Sequence, residues 1–164
     1  MKEQGTIILI PSFEPNKKFI NYIQQLKNYF SSIVVVNDGS KAEYQPIFDC
    51  INQYDEVQVI GYNTNKGKGY ALKHGYKYID DTIQNYSGII TVDCDGQHLV
   101  EDVYQISKQL NQNNNDFIFG CRDFSQKHVP FKSKIGNTFT SILIFILYGK
   151  WLSDTQTGLR AFRK

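Results

Sequence analysis

The feature that most restricts the fold is a series of short, uninterrupted apolar runs. Each is closed by turn-forming polar residues and followed by a longer stretch with helical spacing. Residues 6–10 (TIILI) carry almost no polar alternation, and residues 33–36 (IVVV) carry none. A strand with one wet face alternates, whereas a continuous run is the mark of a strand buried on both faces. Further short strands are predicted over 57–60, 88–92 and 116–119. Between them, residues 16–30, 41–54, 68–80, 100–111 and 135–148 read as helices, with Phe19, Ile20, Ile23, Leu26 and Phe30 near one face of the first. Strand and helix repeated in this way predict an α/β fold, a three-layer α/β/α sandwich with a mostly parallel central sheet. Such sheets bind ligands beyond the carboxyl ends of their strands. Pro11, Asp38, Asn63 and Asp93 are each expected just after a strand, with Pro11 ending the first.

The 164 residues suit one domain, and 41% hydrophobic content is enough for a core. A net charge of +2 gives no reason to expect a nucleic-acid partner. Cys50, Cys94 and Cys121 show no metal-ligand spacing, and residues 1–5 lack the anatomy of a secretory leader. Reduced thiols and a cytoplasmic setting are therefore expected. The apolar run over 142–147 is far shorter than the roughly 20 residues a membrane span needs. It can be core, or it can lie against a membrane surface beside Lys132 and Lys134. Residues 158–164 read as a strand that has just begun, so the expectation is one domain over 1–164, trimmed at its C-terminus from a longer protein. Oligomeric state is not encoded in these patterns.

Five segments carry chemistry. In Asp93-Cys94-Asp95-Gly96-Gln97-His98, two carboxylates leave a strand two residues apart. They can converge on a hard cation such as Mg²⁺ or Mn²⁺, with Gln97 adding a neutral oxygen and His98 ligating or orienting. The same residues also suit a strand-to-helix turn capped by Asp. Asn37-Asp38-Gly39-Ser40 can aim a carboxylate at a base or ribose, with Ser40 capping the next helix, or it can be a simple turn. Asn65-Lys66-Gly67-Lys68-Gly69 at a helix start suits phosphate through amide donors, positive charge and the helix dipole. It is neither a Walker A loop, since Gly-Lys is not followed by Ser or Thr, nor Gly-x-Gly-x-x-Gly, since Leu72 takes the third glycine's place. Arg122, Lys127, His128, Lys132 and Lys134 form a basic segment that can hold an acceptor phosphate, face anionic headgroups, or be an ordinary exposed loop. Asp154, in the polar run 153–158, can act as a base or sit in a plain helix-to-strand loop.

Taken in order, these segments resemble glycosyltransferase family 2, and among its members the dolichyl- and polyprenyl-phosphate sugar transferases. Pro11-Ser12-Phe13-Glu14 is similar to that family's Pro-Ala-Tyr start, and Asn37-Asp38-Gly39-Ser40 to its Asp-Asp-Gly-Ser. Asn65 to Ala71 is similar to its Asn-x-Gly-Lys-Gly-x-Ala loop, and Asp93 to His98 to its Asp-x-Asp-x-Gln-His. Gly120-Cys121-Arg122 resembles its Gly-Ser-Arg, and Asp154-Thr155-Gln156-Thr157-Gly158 its Asp-x-Gln-x-Gly.

The resemblance implies a GT-A, Rossmann-like fold, a nucleoside-diphosphate-sugar donor and transfer with inversion. By position it puts Pro11, Phe13, Glu14 and Asp38 at the base and ribose and Lys68 beside the nucleotide. It puts Asp93 at the ribose or the metal, and Asp95 and Gln97 at a Mg²⁺ or Mn²⁺ ion. Arg122, Lys132 and Lys134 would face the phosphate of a polyprenyl acceptor, with peripheral contact at the inner face of the cell membrane. Asp95, Arg122 and Asp154 are the candidate catalytic residues, Asp154 as base if the acceptor is a sugar hydroxyl.

Two positions depart from the family pattern. Asn37 stands where the first acid of the pair would be, and Lys132 where relatives carry Arg, which alone offers a bidentate fork. Two other classes compete. A non-catalytic sugar-nucleotide-binding module would have less need of Asp95 and Gln97. A nucleotidyltransferase would place a Gly-rich loop after the first strand, where Pro11-Ser12-Phe13-Glu14 stands instead.

Overall fold

The computed structural model describes residues 2–112, 117–120 and 158–164. The apolar runs become strands β1 (Thr6–Ser12), β2 (Ile33–Asp38), β3 (Val57–Tyr62), β4 (Gly88–Thr91) and β5 (Phe117–Phe119), with β6 at Arg160–Arg163. Helices α1 (Lys18–Tyr29), α2 (Gln45–Ile51), α3 (Lys68–Thr82) and α4 (Val100–Gln112) separate the first five strands. The predicted helix over 135–148 lies outside the described residues.

One six-stranded sheet has the order β3-β2-β1-β4-β6-β5. Pairing is parallel from β3 through β2 and β1 to β4, while β6 runs antiparallel to both β4 and β5. The sheet is thus mostly parallel, with β6 reversed in its midst.

The continuous apolar runs are explained by burial on two faces. Ile8, Ile10, Ile33 and Val35 join one cluster with Phe19, Ile23 and Leu26 of α1, Phe48 and Ile51 of α2, and Val103 and Leu110 of α4. Their neighbours Ile7, Leu9, Val34 and Val36 pack on the other face against Ala71 and Ile79 of α3. Adjacent residues point to opposite faces, so each strand needs an apolar side chain at every position. All eight of these strand residues are at most 1% exposed. At roughly 25 cal/mol per Å² of apolar area, the two interfaces are the chief source of stability.

Two boundaries differ from the sequence reading. Pro11 does not end β1, which continues to Ser12 with Pro11 opposite Val36 and Ser12 opposite Asn37. Pairing with β4 stops at Leu9–Thr91, so the missing N–H of Pro11 costs no ladder bond on that open side. The helix expected over 41–54 is shorter, a single 3-10 turn (Ala42–Tyr44) leading into α2. Pro46 falls in the first turn of α2, where an amide donor is not needed. Among the described residues, no helix is long and apolar enough to cross a membrane.

Candidate functional site

In sheet order, β2, β1 and β4 are consecutive, and the chain departs in opposite directions on either side of β1. A crevice opens at such a reversal, beyond the carboxyl ends of the strands. Here it is a cavity of about 350 Å³ lined by Pro11, Ser12 and Phe13 at the end of β1, Asp38 ending β2, Asn65, Gly67 and Lys68 at the start of α3, and Asp93, Cys94 and Asp95 after β4. The fold therefore brings Pro11, Phe13, Asp38, Lys68, Asp93 and Asp95 to one place. Of the residues singled out from sequence, Glu14 and Gln97 are not among its lining, and Arg122, Lys132, Lys134 and Asp154 lie outside the described residues.

Asp38 is 3% exposed, and its Oδ1 accepts hydrogen bonds from the Tyr62 hydroxyl at 2.7 Å and the Lys66 amide at 2.9 Å. A buried carboxylate is tolerated only when such donors satisfy it. Burial, followed by the bond to Asp38, holds the Tyr62 phenol protonated well above its usual range.

A glycine and an asparagine make this geometry possible. Gly39 has φ of 68°, and a Cβ there would lie 2.3 Å from the Asn65 amide nitrogen. Only glycine lets the 37–40 turn sit against the 64–66 loop, so that Lys66 reaches Asp38. The Asn37 side-chain oxygen accepts the Ser40 amide at 2.9 Å, closing that turn. Asn37 therefore serves the turn and does not line the cavity. Ser40 does not cap the following helical turn as expected. Its hydroxyl instead accepts the Glu14 amide at 2.9 Å, tying the loop after β1 to the loop after β2. Glu14 has φ of 47°, and its carboxylate pairs with Lys41 at 3.3 Å.

Lys68 is the first residue of α3, whose N-cap is Gly67 with no side-chain cap. The free amides of a helix start, together with a lysine, make a local positive pole at the cavity wall. The Lys68 ammonium bonds Asp93 Oδ1, and His98 Nε2 lies 3.6 Å from Oδ2. Burial works against the Asp93 charge, but these two partners outweigh it and bring the carboxyl down to about 2.

Gly158 completes this seat, because a Cβ there would lie 2.1 Å from Asp93 Oδ2. Thr91 Oγ1 donates to the Gly158 carbonyl at 2.9 Å and fixes the close approach. No sequence signal marks Gly158 as a neighbour of Asp93, since the two residues meet only through the β4–β6 pairing.

Asp95 is exposed, and its Oδ1 accepts the Gln97 amide at 3.0 Å. Gln97 thus contributes its backbone to the turn and leaves its side chain in solvent. Cys94 lies partly buried between the acids, and burial pushes its thiol up, against opposing contacts from Ser12 and the Phe13 backbone. Phe13 is 45% exposed at the cavity, a flat apolar face unusual at a polar site. The arrangement offers an aromatic face, a fixed buried carboxylate, a helix start with a lysine, and two acids after one strand. That combination suits a ligand carrying a ring, hydroxyls and phosphates.

Comparison with known proteins agrees with this chemistry. The model of glycosyl transferase family 2 matches residues 7–164. An uncharacterized protein of Methanocaldococcus jannaschii is 32% identical over 96% of this chain and 71% of its own length. The UDP-N-acetylglucosamine–dolichyl-phosphate N-acetylglucosaminyltransferase of Methanococcus voltae is 28% identical over 100% of this chain and 71% of that protein. A dolichyl-phosphate β-glucosyltransferase of Trichomonas vaginalis is 27% identical over 95% of this chain, but only 52% of its own length is spanned. Glucosyl-3-phosphoglycerate synthase from Mycobacterium tuberculosis, solved with Mn²⁺, uridine diphosphate and phosphoglyceric acid, superposes with a TM-score of 0.68 at 10% identity, over 96% of this chain and 55% of that one. That likeness establishes the GT-A architecture. The extent of the family match, taken with a cavity at the β1–β4 reversal that gathers the family's motifs, places the chain in glycosyltransferase family 2.

Proposed function

We propose that the chain is the donor-binding and catalytic part of an inverting transferase that moves a sugar from a nucleoside diphosphate to a polyprenyl phosphate. The observation that carries this reading is the convergence of Phe13, Asp38, Lys68, Asp93 and Asp95 on one cavity. Two relatives named as dolichyl-phosphate sugar transferases support the acceptor class.

In this reading Phe13 stacks on the base, with Pro11 and Glu14 beside it, while Asp38, held by Tyr62 and Lys66, takes ribose hydroxyls. Lys68 turns from Asp93 to the diphosphate, and Asp93 and Asp95, assisted by Gln97, are left to hold Mg²⁺ or Mn²⁺. The donor set fits a hard cation, being two carboxylates two residues apart. Among the described residues no group of three His, Cys, Asp or Glu converges, so further oxygens would come from phosphate and water. Such an ion would offset the charge that builds on the departing diphosphate. As the anomeric C–O bond to that diphosphate breaks, an acceptor oxygen forms a new bond from the opposite face. A phosphate acceptor is already anionic and requires no general base. Arg122, Lys132 and Lys134 are proposed to position it by charge, at the surface of a membrane.

The test is thermal stabilisation by UDP, GDP and their sugar conjugates, with and without Mn²⁺ or Mg²⁺. A ligand at a hundred times its Kd adds about 2.7 kcal/mol of apparent stability. One nucleotide is expected to stabilise strongly with metal, and Asp95→Ala is expected to lose that increment. A chain that responds to no nucleotide, with or without metal, contradicts the reading.

A further inference from the structure

A second cavity, of about 500 Å³, opens on the face of the sheet that carries α3. That helix packs over β1 and β2, and the cavity lies beside it, over β4 and β6. Its lining includes three cations, Lys68 and Lys73 of α3 and Arg160 of β6, and no carboxylate among the described residues. The whole chain sets 18 Lys and Arg against 16 Asp and Glu, so three cations without an acid are a local excess. Lys73 is exposed and has no ion-pair partner among the described residues. Such a cluster favours an anion.

The rest of the wall is apolar. Leu72, Tyr76 and Phe162 pack on the core cluster of that face, with the Tyr76 and Phe162 rings 5.6 Å apart. The two characters are ordered along the cavity. Arg160 pairs with Thr91, the last residue of β4, whereas Phe162 pairs with Ile89, farther from the carboxyl edge. On α3, Lys68 is the first residue and Tyr76 lies about two turns on. The charged end therefore adjoins the donor cavity, which shares Lys68, and the Asp93 seat, which shares Gly158. Gly69 is an independent sign. It lines this cavity and not the donor cavity, its φ is not positive, and a Cβ there would meet nothing within 4 Å. Neither backbone nor packing calls for glycine at this place, where it weakens the helix and leaves the space beside it open.

We infer that this cavity seats the acceptor of the proposed transfer, a phosphate monoester on an isoprenoid chain. Lys73 and Arg160, beside Lys68, hold the phosphate, and the first isoprene units lie along Leu72, Tyr76 and Phe162. The inference rests on the proposed acceptor class and gives it a place on the molecule. Inorganic phosphate would leave the apolar wall uncovered, and an uncharged lipid would leave the cations unanswered.

Farnesyl phosphate is a short probe of that class. The experiment follows the melting temperature of the full chain as this probe is titrated, with farnesol and inorganic phosphate in parallel. Farnesyl phosphate is expected to stabilise at concentrations where neither of the other two does. Lys73→Ala removes one cation, and Gly69→Leu fills the open space. The ligand-free melting temperature of Gly69→Leu is expected to be equal or higher, because the helix loses a glycine. Each variant is expected to raise the half-stabilising concentration of farnesyl phosphate about tenfold, and Lys73→Ala to keep the parent's response to UDP or GDP with Mn²⁺. Binding by the parent that neither variant weakens overturns this seat and leaves the acceptor class standing. Equal stabilisation by farnesol or by inorganic phosphate overturns the amphiphilic ligand. No response to farnesyl phosphate, in a chain that responds to nucleotide and metal, overturns the seat and the acceptor class but not the donor reading. A response to farnesyl phosphate that both variants weaken, in a chain deaf to every nucleotide, supports the seat and overturns the donor reading alone.

Discussion

Asp93 owes its state to three separate segments. Lys68 from α3 and His98 from its own loop favour its charge, while Gly158 before β6 leaves room for the carboxylate. Its folded-state pKa, near 2, lies below the ordinary value of 3.8. A lowered carboxyl pKa contributes stability that is fully present above the unfolded value and lost as pH falls through the folded one. The cation-free protein should therefore lose about 2 kcal/mol between roughly pH 4 and pH 2 through this group. Urea titrations across that window should show a shallower decline in Asp93→Asn than in the parent. Asp38 differs in kind, since the donors that hold it are a phenol and a backbone amide. Local pattern reveals which carboxylates stand at strand ends. It does not reveal that Lys68 already occupies one of them, because that pair closes only when α3 docks on β1 and β2.

At the scale of elements, the site is built from the loops that leave β1, β2 and β4 and from the start of α3. Gly158→Ala tests how tightly these are coupled. The new methyl would fall on the Asp93 carboxylate, and the Thr91 bond keeps the Gly158 backbone from yielding. Stability should fall by about 1–3 kcal/mol, as for other overpacked sites. On the proposed reading, the metal-dependent nucleotide response should fall more, because the displaced Asp93 carboxylate no longer stands beside Asp95.

The strands and helices are legible in the sequence because consecutive apolar positions and helical spacing are local signals. Ser40 misleads for a physical reason: its nearest sequence neighbours suggest a helix cap, while its partner, the Glu14 amide, is distant in the chain. Pro11 reads as a strand terminator because the open side of β1 beyond Leu9 exists only in the assembled sheet.

For the whole molecule, the element with the widest reach is β6. It lies between β4 and β5, with Ala161 fully buried opposite Ile90 on one side and Ile118 on the other. Its direction is not readable from sequence, because a four-residue stretch looks the same in either orientation. Without it, β4 would become an edge and β5 would lose the strand it pairs with, leaving Ile90 and Leu110 uncovered. Deleting residues 158–164 is therefore expected to abolish a single cooperative thermal transition, monitored by circular dichroism, whereas deleting Lys2 and Glu3 should leave one.

The late place of β6 in the chain also orders events during synthesis. Residues 2–112 can emerge from the ribosome and lay down β1 to β4 with their helices, including Asp38 and its partners. The wall of Asp93 formed by Gly158 is supplied only when β6 has cleared the exit tunnel and slipped between two strands already made. A nascent chain paused before that point would carry the Asp38 side of the crevice with an unfinished acidic loop. The order of translation would thus keep the crevice incomplete until β6 is in place.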